Sequence, residues 1–167
     1  GLWCEGSIGY HVMTLKGMER VFNALEGYSD PPGYRDPETG ERFEDLDLAM
    51  DIPIIHRANR VPTAFRYPDG RGLPVHDRFA NKGDVEVPER SVSTLYRGVG
   101  HGWLGSGSGP NQIQAHLHFS GGYGHEHADN MGFALFARGH ELLPDLGYTH
   151  PRHRAWSTST VSHNTVC

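Results

Sequence analysis

The sequence predicts an α+β chain in which helices come first and an antiparallel β-sheet follows. Three observations support this order. Apolar residues recur at helical spacing near the N-terminus, whereas alternating apolar and polar residues dominate after Glu89. In addition, 22 glycines and 11 prolines among 167 residues favour turns and β structure over a helix bundle. We therefore place a domain boundary between residues 1–88 and residues 89–167.

The helical part contains two predicted helices. Ser7 to Leu25 predicts an amphipathic helix, with Ser7 as its N-cap and Gly27 as its stop. The apolar side of this helix consists of Ile8, Val12, Leu15, Phe22 and Leu25. Glu44 to Arg60 predicts a short or kinked helix, because Pro53 interrupts it. The turn at Tyr67–Gly70 then leads into a predicted polar, extended segment that reaches Arg90.

The β part follows from short alternating segments bounded by turn residues. The predicted strands are Ser93–Leu104, Gln112–Phe119, Met131–Ala137, His140–Leu143 and a last strand that starts near His163. A hairpin is expected around Arg138 and Gly139. Because the chain begins without a methionine and ends inside that last predicted strand, we expect a fragment of a longer protein.

Composition excludes several function classes. A net charge of −5 argues against a nucleic-acid binder that neutralises phosphates. No apolar run approaches the length of a membrane span. Cys4 and Cys167 lie at opposite ends, so the sequence predicts no disulfide framework. Twelve histidines is a high number for this length, and histidine is a common metal ligand.

The segment Gly124–Asn130 (GHEHADN) carries the strongest chemical signal. His125, His127 and Asp129 alternate, so their side chains point the same way if the segment is extended. With Asp145 and His163 downstream, His127 could complete a zinc shell of two imidazoles and a carboxylate. On spacing alone, three polar surface residues at strand edges are an equally good reading.

Other candidate residues have two readings each. His116 and His118 alternate with apolar Leu117, which favours histidines that face solvent over histidines that line a cleft covered by the helical part. Tyr10 is either a core aromatic or a residue whose hydroxyl meets a ligand at the helix start. His11 is interpreted either as structural or as a residue that supports the site without touching a ligand. Asp129 either orients one of the histidines or caps the turn.

These motifs together resemble the heparinase II/III-like polysaccharide lyases. The order and spacing of four segments carry the resemblance: Gly124–Asp129, Phe133–Ala137, Leu142–Gly147 and Ser162–Val166. Upstream, Glu5–His11 resembles the helix start that carries the catalytic tyrosine of that family. The segment from Tyr67 to Asp77 resembles the one that closes its helical domain.

The resemblance implies an α/α toroid followed by an antiparallel β-sandwich, with the active site in the cleft between them. This chain would contain the last toroid helices and the first sandwich strands. Tyr10 matches the catalytic tyrosine and His125 the histidine that faces the substrate. The residues that match the ligands of a site-organising zinc ion are His127, Asp145 and His163. An Asn or His pair that neutralises the substrate carboxylate in the family has no counterpart in this sequence.

The implied activity is cleavage of a uronic-acid-containing glycan, of the alginate or heparin/heparan sulfate type, by β-elimination. Arg152 and Arg154 would contact substrate carboxylates or sulfates, unless they only form a solvated loop. A periplasmic or secreted location and an anionic polysaccharide partner are implied, and a homodimer is left open.

Two other functions are compatible with the same residues. A non-catalytic, zinc-stabilised carbohydrate-binding β-domain would keep the metal ligands but would not need Tyr10 and His125. A metal-dependent hydrolase would use the metal itself to activate water.

Overall fold

A computed structural model describes residues 5–80, 87–121 and 124–166. The helices are α1 (Ile8–Leu25), α2 (Leu48–Asp51), α3 (Pro53–Ala64) and α4 (Arg154–Ser157). The strands are β1 (Thr94–Tyr96), β2 (His101–Ser106), β3 (Ile113–His118), β4 (Phe133–Ala137) and β5 (His140–Leu143). The structure confirms the predicted order, in which helices are followed by an antiparallel sheet. Cys4 and Cys167 lie outside the described residues.

Helix α1 confirms the first predicted helix to within one residue. Gly27 adopts a φ of 71° just beyond its end, a left-handed conformation that stops a helix. Ser7 is the N-cap residue, but its side chain makes no capping bond. Instead, its hydroxyl donates to the backbone carbonyl of Asp77 at 2.8 Å. The start of α1 is therefore fixed by a segment 70 positions away.

The second predicted helix is two helices, α2 and α3. Asp47 caps α2 by accepting from the backbone N–H groups of Ala49 and Met50. Pro53 occupies the first turn of α3, where its missing N–H would have had no partner. The proline therefore begins a helix instead of kinking one, and α3 extends to Ala64 with Pro62 inside it.

The sheet is a meander in which the strands pair in chain order, β1-β2-β3-β4-β5, all antiparallel. The predicted β3 and the hairpin at Arg138 and Gly139 are confirmed. Both turn residues have positive φ, 51° and 77°, as a two-residue hairpin of matching twist requires.

Two strand predictions are wrong. Ser93–Leu104 is split into β1 and β2 by a 3-10 turn at Arg97–Val99, followed by Gly100. Gly100 has a φ of 67°, and a Cβ there would lie 2.6 Å from the backbone nitrogen of Ser120. The strand predicted near His163 is instead a 3-10 turn, Thr160–Ser162, after which His163 is extended but belongs to no strand among the described residues.

The core joins both predicted parts of the chain. It contains Ile8, Val61, Phe65, Tyr67, Leu73, Val75, Trp103, Ala134 and Phe136. The segment predicted to be polar and extended is therefore partly wrong, because its first half, from Leu73 to Arg78, is buried. The proposed boundary at 88/89 stays a prediction. Within the described ranges, no helix is both long enough and apolar enough to cross a membrane.

Candidate active site and metal centre

Tyr10 and His125 form the first part of the site. Their rings are stacked, with centroids 3.5 Å apart and planes inclined by 12°. Tyr10 lies in the first turn of α1, and His125 lies in the loop before β4. The side chain of His125 is 38% exposed, so the pair is open to solvent on one side. Two residues predicted to share a catalytic role are thus in direct contact.

One carboxylate lies near each ring nitrogen of His125. Its Nδ1 lies 3.5 Å from an oxygen of Asp77, and its Nε2 lies 3.6 Å from an oxygen of Glu5. These separations are longer than a good hydrogen bond. His125 therefore lies between two acidic neighbours beside Tyr10.

Asp77 connects this pair to the rest of the site. Its side chain is only 3% exposed and accepts a hydrogen bond from His127 Nε2 at 3.0 Å. Arg154 donates to the same carboxylate, at 2.5 Å from Nη2 to Oδ2. The backbone N–H of Asp77 also donates to the carbonyl of His125 at 3.2 Å. Asp77 thus holds the residues on either side of Glu126 in fixed positions.

A close backbone approach places α1 against Asp77. A Cβ on Gly9 would lie 2.9 Å from the Asp77 carbonyl oxygen, so any other residue there would push the helix away. The same carbonyl accepts the Ser7 hydroxyl. Gly9 therefore permits the approach that brings Tyr10, its neighbour, to His125.

A second group of side chains could hold a metal ion. One ligand atom from each of four residues lies within 4.8 Å of the others: His127, Asp129, Asp145 and His163. Three of these are the predicted zinc ligands, which the fold brings together. The fourth, Asp129, was predicted only to orient a histidine or to cap the turn.

The hydrogen bonds of His163 leave one nitrogen directed at carboxylates. Its Nε2 lies 2.8 Å from the Ser157 carbonyl, which only accepts, so this nitrogen donates. The other nitrogen, Nδ1, lies 3.1 Å from Asp145 Oδ1 and 3.5 Å from Asp129 Oδ2. Burial lowers the pKa of His163, but the hydrogen bond to Asp145, the charges of Asp145 and Asp129 and the bond to the Ser157 carbonyl together outweigh burial, so the pKa is raised overall. A positive charge is thus favoured here, either as a proton or as a metal ion.

His127 and Asp129 fit a metal in the same way. The Nε2 of His127 donates to Asp77, while its buried Nδ1 has no hydrogen-bond partner among the described residues. A ligating histidine commonly donates its other N–H to a carboxylate in this manner. Oδ1 of Asp129 is likewise buried without a hydrogen bond. The donor set of two imidazoles and two carboxylates suits a four-coordinate zinc ion.

Four further histidines lie behind this site. His76, His101, His116 and His118 are buried and their rings pack against one another, and His118 donates to Asp129 Oδ2 at 3.0 Å. Burial lowers the pKa of His76 and of His101 to about 3, and that of His116 well below its usual value. Burial raises the pKa of Asp129, but the bond from His118 and the charges of His118, His76 and His163 together outweigh burial, and the pKa falls to about 2.

The prediction that His116 and His118 face solvent is therefore wrong. Both are 1% exposed. The alternation along β3 correctly placed them on one face, but that face is the covered one. Phe65 lies edge-on to His116, and His76 lies edge-on to His118, so the segment after α3 packs over the histidines.

The two predicted substrate-binding arginines differ in their surroundings. Arg154 pairs with Asp77, and its guanidinium carbon lies 5.1 Å from the centroid of the Tyr148 ring. Arg152 is exposed in a 3-10 turn. Their contact with substrate stays a prediction, but the charge of Arg154 is already engaged by a carboxylate.

Sequence reasoning missed His76 and Asp77 as parts of the site. They lie in a short segment without periodicity, and Asp77 meets His127 across 50 positions of chain. The available signal was Pro74–Asp77 inside the segment that resembles the closing region of the family's helical domain.

Comparison with known proteins supports the resemblance. Residues 113–167 match the family model described as Heparinase II/III-like, C-terminal. This match covers the C-terminal third of the chain, including His125, His127, Asp145 and His163. The resemblance inferred from the motifs is thereby confirmed. A search of curated proteins finds no match.

Solved structures share the fold over nearly the whole chain. The crystal structure of heparan sulfate lyase HepC from Pedobacter heparinus superposes on 98% of it, with a TM-score of 0.67 and 17% identity. A crystal structure of heparinase III also matches 98%, with a TM-score of 0.68 and 19% identity. The heparinase III BT4657 gene product matches 100%, with a TM-score of 0.71 and 17% identity. The chain spans about 30% of the length of these proteins, covering 29%, 31% and 30% of them respectively.

Proposed function

We propose that this protein is a polysaccharide lyase that cleaves a uronic-acid-containing glycan by β-elimination. The observation that carries the proposal is the stack of Tyr10 on His125 beside a His/Asp group suited to a metal ion. The names of the structural relatives, heparinase III and heparan sulfate lyase, put heparin and heparan sulfate first among the substrates to test. Alginate is the next, and a periplasmic or secreted location accords with either polymer.

Tyr10 is the residue that we assign to proton transfer. As a phenolate it takes the proton from C5 of the uronate, and the electron pair of that bond forms the new C4–C5 double bond. The bond from C4 to the glycosidic oxygen then breaks, and the phenol returns the proton to the leaving oxygen. The products are an unsaturated uronate end and a free hydroxyl.

His125 is the partner of Tyr10 in this proposal. Stacked on the phenol ring and flanked by Asp77 and Glu5, it is placed to exchange a proton with the reacting sugar and to stabilise negative charge that develops at the uronate. Its 38% exposure leaves room for a substrate to approach.

The residues that would hold zinc are His127, Asp129, Asp145 and His163. A bound ion would hold these four side chains together and supply positive charge beside the cleft. Asp77 then has a positioning role, because it contacts both His127 of this group and His125 of the catalytic pair. Arg154 neutralises part of the charge of Asp77.

Replacement of Tyr10 by phenylalanine tests the assignment. In the natural full-length protein, Tyr10→Phe removes the only titratable atom of the side chain, and we expect turnover to fall by about 1,000-fold or more. The measurement is the ultraviolet absorbance of unsaturated product, with a panel of heparan sulfate, heparin and alginate as substrates.

The matched control is Tyr34→Phe. Tyr34 is exposed in the loop between α1 and α2, and we expect its replacement to leave turnover unchanged. Undiminished activity of Tyr10→Phe would refute the catalytic assignment. Hydrated products without unsaturated ends would instead support the hydrolase, and glycan binding without any product would support the non-catalytic binding domain.

A further inference from the structure

A groove on the helix side of the sheet is lined by arginines. It has a volume of about 720 Å³ and lies between α3 and the β1–β2 part of the sheet. Its cationic side chains are Arg57, Arg60, Arg66 and Arg90, and no acidic residue of the described ranges lines it. Neither Tyr10 nor any residue of the candidate metal group contributes to its walls. The groove is therefore separate from the site described above.

The charges in this groove are not neutralised by the described part of the chain. Arg57, Arg60 and Arg90 are exposed, and the ion pairs that arginines form among the described residues involve only Arg71 and Arg154. Three exposed guanidinium groups around one cavity repel each other, so an anionic ligand would stabilise the arrangement.

The groove also contains buried polar atoms without a partner. Trp103 is 5% exposed, and its Nε1–H makes no hydrogen bond within the described structure. The same holds for Nε of Arg66, a second donor, and for Oε1 of Gln114, an acceptor. All three residues line the groove. Because buried polar groups are normally satisfied, the walls of the groove contain two donors and one acceptor whose missing partners a polar ligand could supply.

We propose that this groove binds a sulfated or carboxylated stretch of the glycan, as a subsite apart from the catalytic pair. Guanidinium groups bind planar anionic oxygens in a bidentate manner. Sugar hydroxyls both accept and donate, as the unpartnered atoms of Trp103, Arg66 and Gln114 require. The inference rests on the proposed function for the identity of the glycan, but it stands on a different set of residues.

Binding measurements on the natural full-length protein test the subsite. The protein carries Tyr10→Phe to limit cleavage, and the probe is a size-fractionated heparin oligosaccharide titrated in a calorimeter. We expect the double replacement Arg57→Ala/Arg60→Ala to raise Kd by roughly ten-fold or more, since it removes charge-assisted hydrogen bonds. The dependence of Kd on salt concentration should become shallower, because fewer counterions are released.

Matched variants separate the groove from general charge. Arg20→Ala removes an exposed arginine of α1 and should leave Kd unchanged. Trp103→Phe keeps an aromatic ring but removes the unpartnered N–H, and we expect binding to weaken by a few-fold. Thermal unfolding of each variant checks that the fold is retained, and both Arg57 and Arg60 are exposed enough for replacement to leave it intact.

Several results would overturn the proposal. These are an unchanged Kd for the double variant, an equal loss with Arg20→Ala, or tighter binding of a single-stranded nucleic acid of equal charge. Failure of the proposed function gives a different result, since Tyr10→Phe would then keep full turnover while the arginine variants still weakened binding.

Discussion

Two sets of histidines meet at Asp129, and they differ in the number of carboxylates around them. His101 and His116 hydrogen-bond to each other at 3.1 Å, and burial leaves both neutral, with lowered pKa values. His163 instead faces Asp145 and Asp129, and its pKa is raised. The comparison teaches that the acidic neighbour, not the histidine or its spacing, decides whether an imidazole packs or binds a cation.

The same contrast is found at the cleft. The carboxylate of Asp77 lies beside His125 and His127, whereas His76 and His118 share the single carboxylate of Asp129. His101 and His116, whose pKa values are lowered by burial, thus lie behind the candidate site, whereas His125, His127 and His163 each lie beside a carboxylate within it.

The largest effect is expected from removing an acid-paired histidine. His163→Ala deletes a nitrogen that faces two carboxylates, and we expect the bound metal to be lost and turnover to fall by more than about 100-fold, since outer partners alone contribute about 10- to 100-fold. Elemental analysis of the purified full-length protein and the absorbance assay measure the two effects. His153→Ala, which alters an exposed histidine, is the control. Full metal content in His163→Ala would remove it from the ligand set.

An intermediate effect is expected from Asp77→Asn. The amide keeps the shape but loses the charge that orients His127 and holds Arg154, so metal affinity or kcat/KM should fall by about 10- to 100-fold. Competition with a chelator measures the affinity. Asp69→Asn, at a carboxylate paired with Arg71, serves as the control. If both variants behaved alike, Asp77 would have no special role in positioning.

The buried histidines with lowered pKa values, His76, His101 and His116, predict that the stability of the protein depends on pH. The folded pKa of His101 is about 3, below the ordinary 6.5, so the unfolded chain binds more protons in that window. The free energy of unfolding should therefore fall as pH drops below 6.5, by at most about 1.4 kcal/mol per pH unit for each such histidine. The raised pKa of His163 acts in the opposite direction, with stability that is present below 6.5 and lost as pH rises.

Denaturant unfolding at pH 7, 6 and 5 measures this dependence. His116→Leu removes one buried histidine and leaves the contribution of His163 in place, so the difference between the two slopes isolates the contribution of His116. An identical slope for the variant would mean that His116 does not titrate as its burial implies.

Local patterns predicted most of the fold. The hairpin at Arg138 and Gly139 follows from turn chemistry, and helix α1 follows from apolar spacing and Gly27. The split of Ser93–Leu104 did not follow, because it depends on the close approach of Gly100 to Ser120, which lies 20 positions away. Long-range contact overrode a local preference there.

The candidate site was predictable only in part. His127, Asp145 and His163 were found because their motif order resembles that of a known family. Asp77 has no periodic context and acquires its meaning only from partners far along the chain. For His116 and His118, alternation identified a shared face but could not say which face the segment after α3 would cover.

The pairing of the strands in chain order has a consequence for folding. Adjacent hairpins close short loops, whereas the bonds of Asp77 to Ser7, His127 and Arg154 span 70, 50 and 77 positions. We expect the sheet to form early and the cleft to be assembled last. Hydrogen exchange in mild denaturant should then find the amides of β2 to β4 protected while the amide of Asp77 already exchanges. Turnover would disappear at denaturant concentrations that leave the sheet intact.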